Sequence, residues 1–258
     1  MRSGTLAMFD ALGFKGIWNR NDVKRDPECV MRKLIASERY ALEFMGKDFG
    51  SVENAVANPG NQLASLDVAF FSDTIVLGVS SKSAEQLARV GVPSSFQWSM
   101  LVACRFANAI QRAAALQPPA LAYRGCITYG EFDVQGNFLI GLAIDEAADL
   151  MDRAQGAFTW LTSRAVERLE PVKSNLPLLA SHGIVSYVVP LKGGDTFETC
   201  SVCPLDWDGT RETHATVASA MLDTFVGSVD VDIKRQNTAR YFDFASHSFC
   251  KMRWPERD

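Results

Sequence analysis

Two stretches of this chain each bring an aspartate to the end of an apolar run, and nothing else in the sequence limits the fold so much. Thr5-Leu-Ala-Met-Phe9 is short and apolar, is followed at once by Asp10, and has Gly13 three residues further on. It reads as a buried strand that carries an acid to its edge. Asp67-Val-Ala-Phe-Phe71 and Thr74-Ile-Val-Leu77 read as a hairpin joined through Ser72-Asp73, with the second acid at or beside the tip. A carboxylate at the edge of an apolar strand is costly unless it faces water or a cation. Two such acids brought together repel each other, and a pair of divalent metals is a common remedy. Gly13 lets backbone N–H groups come close to a polyphosphate. A helix-capping Asp10 and a simple turn Asp73 are the structural alternatives.

The remaining segments alternate. Asp26-Pro27 opens a helical run from Glu28 to about Met45, and the polar stretch from Lys47 to Leu66, broken by Asn58-Pro59-Gly60, reads as a loop. Ser94 and Ser95 can cap a helix carrying Met100, Leu101, Ala103, Phe106, Ala107, Ile110 and Ala114, which stops before Pro118-Pro119. A strand from Ala122 to Tyr129 carries Arg124. Phe138-Leu-Ile-Gly141 precedes a helix from about Asp145 to Arg153. Gly183 to Val189 reads as a strand, Thr210 to Phe225 as a helix, and the mixed tail holds Lys234-Arg-Gln-Asn-Thr-Ala-Arg240, taken as a solvated run or a basic loop reaching phosphate. The expected class is α+β, an α/β sandwich with a mixed sheet flanked by helices. No linker divides the chain, so one domain over residues 1–258 is expected, with core motifs in about 5–165 and an extension in about 170–258.

Charge and composition exclude several functions. The 26 Lys and Arg against 30 Asp and Glu give a net charge of -4, which speaks against a nucleic-acid binder with a basic face. No run approaches the roughly 20 apolar residues of a membrane span, and Asp10 arrives too early for a signal peptide. A cytoplasmic protein with its six cysteines reduced is expected. Cys200 and Cys203 alone have ligand-like spacing; without a second pair or a nearby histidine they read as ordinary cysteines at a strand end.

Four segments in order resemble the class III nucleotidyl cyclases. Phe9-Asp10-Ala11-Leu12-Gly13-Phe14 resembles their first metal motif, and Phe71-Ser72-Asp73 their second. Tyr123-Arg-Gly-Cys-Ile-Thr-Tyr-Gly130-Glu131 resembles the strand after the family's long helix, and Phe138-Leu-Ile-Gly141-Leu-Ala-Ile-Asp145-Glu-Ala-Ala148 the segment feeding its catalytic helix. The resemblance implies a homodimer with nucleotide sites at the interface and closure of a nucleoside triphosphate to a 3′,5′-cyclic monophosphate with release of pyrophosphate. It implies that Asp10 and Asp73 bind two metal ions, that the Ala11 carbonyl completes one shell, and that N–H groups of Leu12, Gly13 and Phe14 cradle phosphates.

The chain also departs from that family. The adenine-reading Lys and Asp of the family are replaced by Ala69 and Phe138, so a bulky Phe138 stands where a purine would be read and can stack on a smaller base. The transition-state Asn and Arg align with Asp145 and Asp149; Arg153, one helical turn on, or Arg124 would supply the missing cation. Asp145 otherwise caps its helix. These departures, with Arg124-Gly125 and Gly141 to Ala147, resemble most the bacterial pyrimidine cyclases of Pycsar antiphage signalling. That implies UTP or CTP as substrate, Mn²⁺ with Mg²⁺ as the substitute, and a cUMP or cCMP product acting on a separate effector. A purine or promiscuous cyclase, and a silent nucleotide-binding cyclase domain, are the alternatives.

Overall fold

The structure is a computed structural model and describes residues 1–12, 14–36, 39–40, 43, 64–81, 95–136, 138–207 and 209–253. Its centre is an eight-stranded sheet. Strand β1 (Arg2–Leu12) lies between β3 (Thr74–Ser81) and β4 (Ala122–Gln135), and β2 (Ala64–Phe71) pairs with β3 at one edge. On the other side of β4 come β6 (Thr159–Leu161), β8 (Thr196–Val202) and β7 (Ile184–Pro190), while β5 (Phe138–Ile140) folds back on the far end of β4. The β4–β6 pair is parallel and the other pairs are antiparallel, so the sheet is mixed as expected.

The period of two in β1 explains its central place. Ala7, Phe9 and Ala11 enter one core, and Leu6, Met8 and Leu12 enter the core on the opposite face. The first face is covered by α3 (Ser95–Leu116), which sets Met100, Ala103, Phe106, Ala107 and Ile110 against the sheet; the rings of Phe106 and Phe9 lie 6.3 Å apart. Full burial of each such ring contributes about 2–3 kcal/mol. The second face is covered by α4 (Leu142–Leu150), α7 (Arg211–Leu222) and α8 (Val229–Arg253), which contribute Ala143, Ile144, Ala147, Val217, Met221, Tyr241, Phe242 and Phe249. Smaller described elements are 3₁₀ turns at Phe14–Asn19 and Glu170–Val172, α1 (Asn21–Arg25), helical residues 28–36 (α2), α5 (Ser163–Leu169) and α6 (Leu176–Ser181). None of the described helices is long and apolar enough to cross a membrane.

Several boundaries differ from expectation. Helix α4 begins at Leu142 and ends at Leu150, placing Met151–Arg153 in a turn beyond it. Its start is set by Gly141, whose φ of 126° is open to glycine and whose missing Cβ lets the chain pass against Glu131 and Phe132 of β4. Asp145 therefore lies in the first turn of α4 and does not cap it. Lys234–Arg240 is part of α8, a 25-residue helix, and not a loop. Helix α2 matches the expected run as far as residue 36, with residues 39, 40 and 43 also helical; β2 starts at Ala64 and takes in the last three residues of the stretch read as loop. Ser94 and most of the stretch from Lys47 lie outside the described residues. Cys200 sits in β8 and Cys203 just past it, both buried, and burial pushes the Cys203 thiol up to about 12.

Candidate active site

The sheet brings the two expected acids to one end. Asp10 is opposite Thr74 in the β1–β3 register, and the Ala11 N–H donates to the Asp73 carbonyl at 3.2 Å. Asp73 closes the β2–β3 turn, which bends through Ser72 at a φ of 57°. In an extended strand the N–H and C=O of a residue point the same way, so the Ala11 carbonyl also faces the hairpin. Burial pushes the Asp10 carboxyl above the usual carboxylate value, and Asp73 adds to the push while Arg124 opposes it.

Arg124 is the cross-strand partner of Asp10 on β4. Its Nη2 lies 3.2 Å from Asp10 Oδ2, its Nη1 donates to the Asp152 carbonyl at 2.9 Å, and Asp152 Oδ2 is 4.0 Å away. The Arg124 side chain is 11% exposed and that of Asp10 is 23% exposed, so the pair lies at the edge of water. Gly125 follows Arg124 with good reason: a Cβ there would fall on the Met8 carbonyl oxygen and break the register that faces Arg124 toward Asp10.

The turn after α4 extends this cluster. Lys192 Nζ donates to Asp152 Oδ2 at 2.6 Å, and the Lys192 N–H donates to the Arg153 carbonyl at 2.8 Å. That Lys192 bond, with Arg124 and Arg153 behind it, holds the Asp152 carboxyl below the usual range. Arg153 itself is exposed, with its Nε 3.4 Å from the Asp149 carbonyl. The turn thus carries Arg153 to the Asp10 end of its own chain.

The other expected residues fall in two places. Ala69 pairs with Val76, which pairs with Met8, so it lies two strands over from β1, in register with the residue two before Asp10 and on the same face of the sheet, 4% exposed. Leu12 and Phe14 follow Asp10 directly, Phe14 in the first 3₁₀ position and half-buried, while Gly13 lies outside the described residues. Phe138 is elsewhere. It pairs with Gln135, eleven positions along β4 from Arg124, or about 35 Å of extended strand, and is 80% exposed. Asp145 and Asp149 are exposed on α4, and the neighbouring Glu146 accepts from Thr128 Oγ1 at 2.7 Å, halfway along β4.

Asp152, Lys192 and Tyr123 were not legible as site residues in the sequence. Tyr123 is fully buried beside the acids, its hydroxyl has no hydrogen-bond partner among the described residues, and burial together with Asp73 and Asp10 pushes its pKa well up. No local pattern marks these three residues; Asp152 is identified by its carbonyl and carboxylate lying beside Arg124 in the folded chain.

Among the described residues no three His, Cys, Asp or Glu side chains cluster as a protein-only metal cage. The donors that are present do suit a divalent cation held partly by substrate: hard carboxylate and carbonyl oxygens, with one carboxylate raised by burial and a like charge.

No protein-family model and no curated protein matches the sequence. Solved structures do. A dimeric guanylyl cyclase domain of the RhoGC fusion protein from the aquatic fungus Blastocladiella emersonii is similar at 15% identity and a TM-score of 0.48, over 78% of this chain and 94% of that one. The adenylyl cyclase CyaB from P. aeruginosa is similar at 15% identity and a TM-score of 0.45, over 82% and 97%. The guanylyl cyclase Cya2 is similar at 16% identity and a TM-score of 0.39, over 78% and 92%.

Proposed function

We propose that this chain is a nucleotidyl cyclase that closes UTP, or CTP, to the 3′,5′-cyclic monophosphate. The meeting of Asp10 and Asp73 across β1 and β3, with Arg124 alongside, supports this reading most directly. In the reaction the 3′-oxygen bonds to the α-phosphorus as the bond to the β-phosphate oxygen breaks. Pyrophosphate leaves, and the hydroxyl proton passes to water.

Asp10 and Asp73, with the Ala11 carbonyl, are the groups that would hold two divalent ions, Mn²⁺ or Mg²⁺. Such ions supply Lewis acidity toward the 3′-hydroxyl and neutralise charge on the leaving group. Arg124 stands where a phosphate beside Asp10 meets a planar guanidinium, and the exposed Arg153 offers a second. Backbone N–H groups of Leu12, Gly13 and Phe14 cradle the triphosphate. Ala69, buried two strands from Asp10 on the same face of the sheet, brings no polar group to a base, which leaves the base to be held by shape and stacking.

Phe138 and Asp145 serve the site only if a second chain brings them there, because β4 holds Phe138 about 35 Å from Arg124 of its own chain. On this reading the active form is a homodimer with sites at the interface, and the exposed Phe138, Ile140 and Leu142 are part of the contact. The product is a second messenger of the Pycsar antiphage type, made in the cytoplasm and read by a separate effector, with no nucleic-acid or membrane partner.

The test is a product assay. Purified protein and Asp73→Ala are incubated with Mn²⁺ and each of ATP, GTP, CTP and UTP, and products are identified by mass. A cyclic pyrimidine nucleotide from the wild type alone is expected. A cyclic purine would overturn the reading of Ala69 and Phe138, and no product from any triphosphate would leave a binding domain without turnover.

A further inference from the structure

Arg124 sits between two carboxylates and is fully seated on neither. Its Nη2 is 3.2 Å from Asp10 Oδ2, longer than the roughly 2.7–2.9 Å of a well-formed charge-assisted bond, and 4.0 Å from Asp152 Oδ2. Its Nη1 donates to the Asp152 backbone carbonyl at 2.9 Å, a bond that belongs to the main chain and does not need the Asp152 side chain. The buried Nε has no hydrogen-bond partner among the described residues. A guanidinium carries its N–H donors in a fixed fork, and this one is only partly engaged. Asp152 is fixed from its other side by Lys192, whose Nζ donates to Oδ2 at 2.6 Å, and a carboxylate has lone pairs left for a further donor.

We infer that Asp152 is a positioning residue that receives the Arg124 guanidinium when a divalent cation takes Asp10. The inference rests on the reading of Asp10 as a metal-holding carboxylate. Arg124 and such an ion compete for the same oxygen, and two cations there repel. A guanidinium pushed off Asp10 with no second carboxylate in reach would stay nearly buried and unpaired, which is costly. Asp152 removes that cost with a short move: Nη1 keeps its bond to the Asp152 carbonyl as a pivot, and Nη2 turns from one carboxylate to the other. The energy of this exchange enters directly into the affinity of Asp10 for the ion. Asp152 also adds a negative field at Asp10, and a field needs no movement of Arg124. Removing Arg124 separates the two accounts.

The test is a titration of the full chain with Mn²⁺ alone, the free ion being read by its paramagnetic resonance signal, with no nucleotide present. Wild type is expected to show a site that Asp10→Asn abolishes. Asp152→Asn weakens it by about tenfold, the scale of one lost charge-assisted contact, and Asp152→Glu, which keeps the charge, stays within about threefold of wild type. Arg124→Met, which removes the competitor, binds Mn²⁺ more tightly than wild type. In that background Asp152→Asn changes the affinity by less than about threefold, because no guanidinium remains to be received. Where the melting curve shows that Arg124→Met does not fold, Arg124→Gln supplies the background. A tenfold effect of Asp152→Asn in both backgrounds overturns the inference, since the carboxylate then acts as a ligand or through its field. No effect in either background overturns it too, as does the lack of a Mn²⁺ site that depends on Asp10. Failure of the cyclase assay leaves a positive result standing, because no nucleotide and no turnover enter it.

Discussion

Replacing Lys33 by methionine tests how the N-terminal segment is anchored beneath the site. Lys33 is 2% exposed, and its ammonium donates to the carbonyls of Ala113 at 3.1 Å and Gln117 at 2.8 Å, capping the end of α3. The exposed carbonyls at a helix C-terminus favour a cation. Burial works the other way and lowers the pKa from 10.5 to about 8. Asp22, Asp26 and Arg32 line the same crevice and set the local field. Between the two values the unfolded chain holds a proton that the folded chain has lost, so stability rises with pH through that window. Holding Lys33 at about 8 instead of 10.5 corresponds to about 3 kcal/mol, of which about 2 kcal/mol is gained between pH 7 and pH 10. Methionine keeps the length of the stem, loses the two hydrogen bonds and does not titrate.

The assay is urea unfolding of wild type and Lys33→Met at several values across that pH range. Other groups move both proteins alike: Tyr129, Tyr187 and Cys200, all raised by burial, lower the stability of each as pH rises. The difference between the two proteins isolates Lys33. It should shift in favour of the wild type by about 2 kcal/mol from the neutral to the alkaline end. A difference that stays constant within about 0.5 kcal/mol refutes the burial of a titrating lysine against α3, and with it the docking of α2 on that helix.

Gly125→Ala places a methyl group on the Met8 carbonyl and should cost about 3 kcal/mol or more in urea unfolding, while Gly16→Ala, with nothing within 4 Å of the new Cβ, should change it by less than about 1 kcal/mol. Arg124→Ala leaves the Asp10 carboxylate near Asp73 without its partner; a loss of about 2–3 kcal/mol is expected by the same measurement, with Arg124→Lys between the two. Phe138→Ser changes an 80% exposed side chain and should leave the melting temperature within a degree or two, while sedimentation shows fewer dimers and the cyclase assay loses activity in proportion.

The acid pair was legible because its causes are local. An apolar run of period two followed by Asp10, and two apolar runs joined at Ser72-Asp73, determine strand, turn and acid from neighbours in sequence, and pairing of β1 with β3 then brings the acids together. The turn after α4 has a different cause. Its position depends on where α4 starts, and that is decided by Gly141 passing against β4, a tertiary contact that no local pattern displays. Reading the helix from Asp145 moved its end three residues too far and hid Asp152, which is the residue that ties Arg124 to Lys192.

Helix α8 was missed for another reason, and that reason bears on the site. Its first half is nearly all polar, Asp230 to Arg240, and by composition it looks like a solvated run. The helical period shows only later, in the buried residues Tyr241, Phe242, Ala245 and Phe249 at spacings of one, three and four. Those residues dock the helix on the sheet, and Thr238, whose hydroxyl accepts from the Ala157 N–H at 2.9 Å, fixes its rotation. The polar first half is then held where it could not otherwise stay. Asp230, paired with Lys234, also feels Lys192, so ion pairs and near charges run from Lys234 through Lys192 and Asp152 to Arg124 and Asp10. A sequence that spends its apolar residues on anchoring and its charges on a linked surface looks featureless where it is read locally, yet that linked surface is what joins the C-terminal third to the acids.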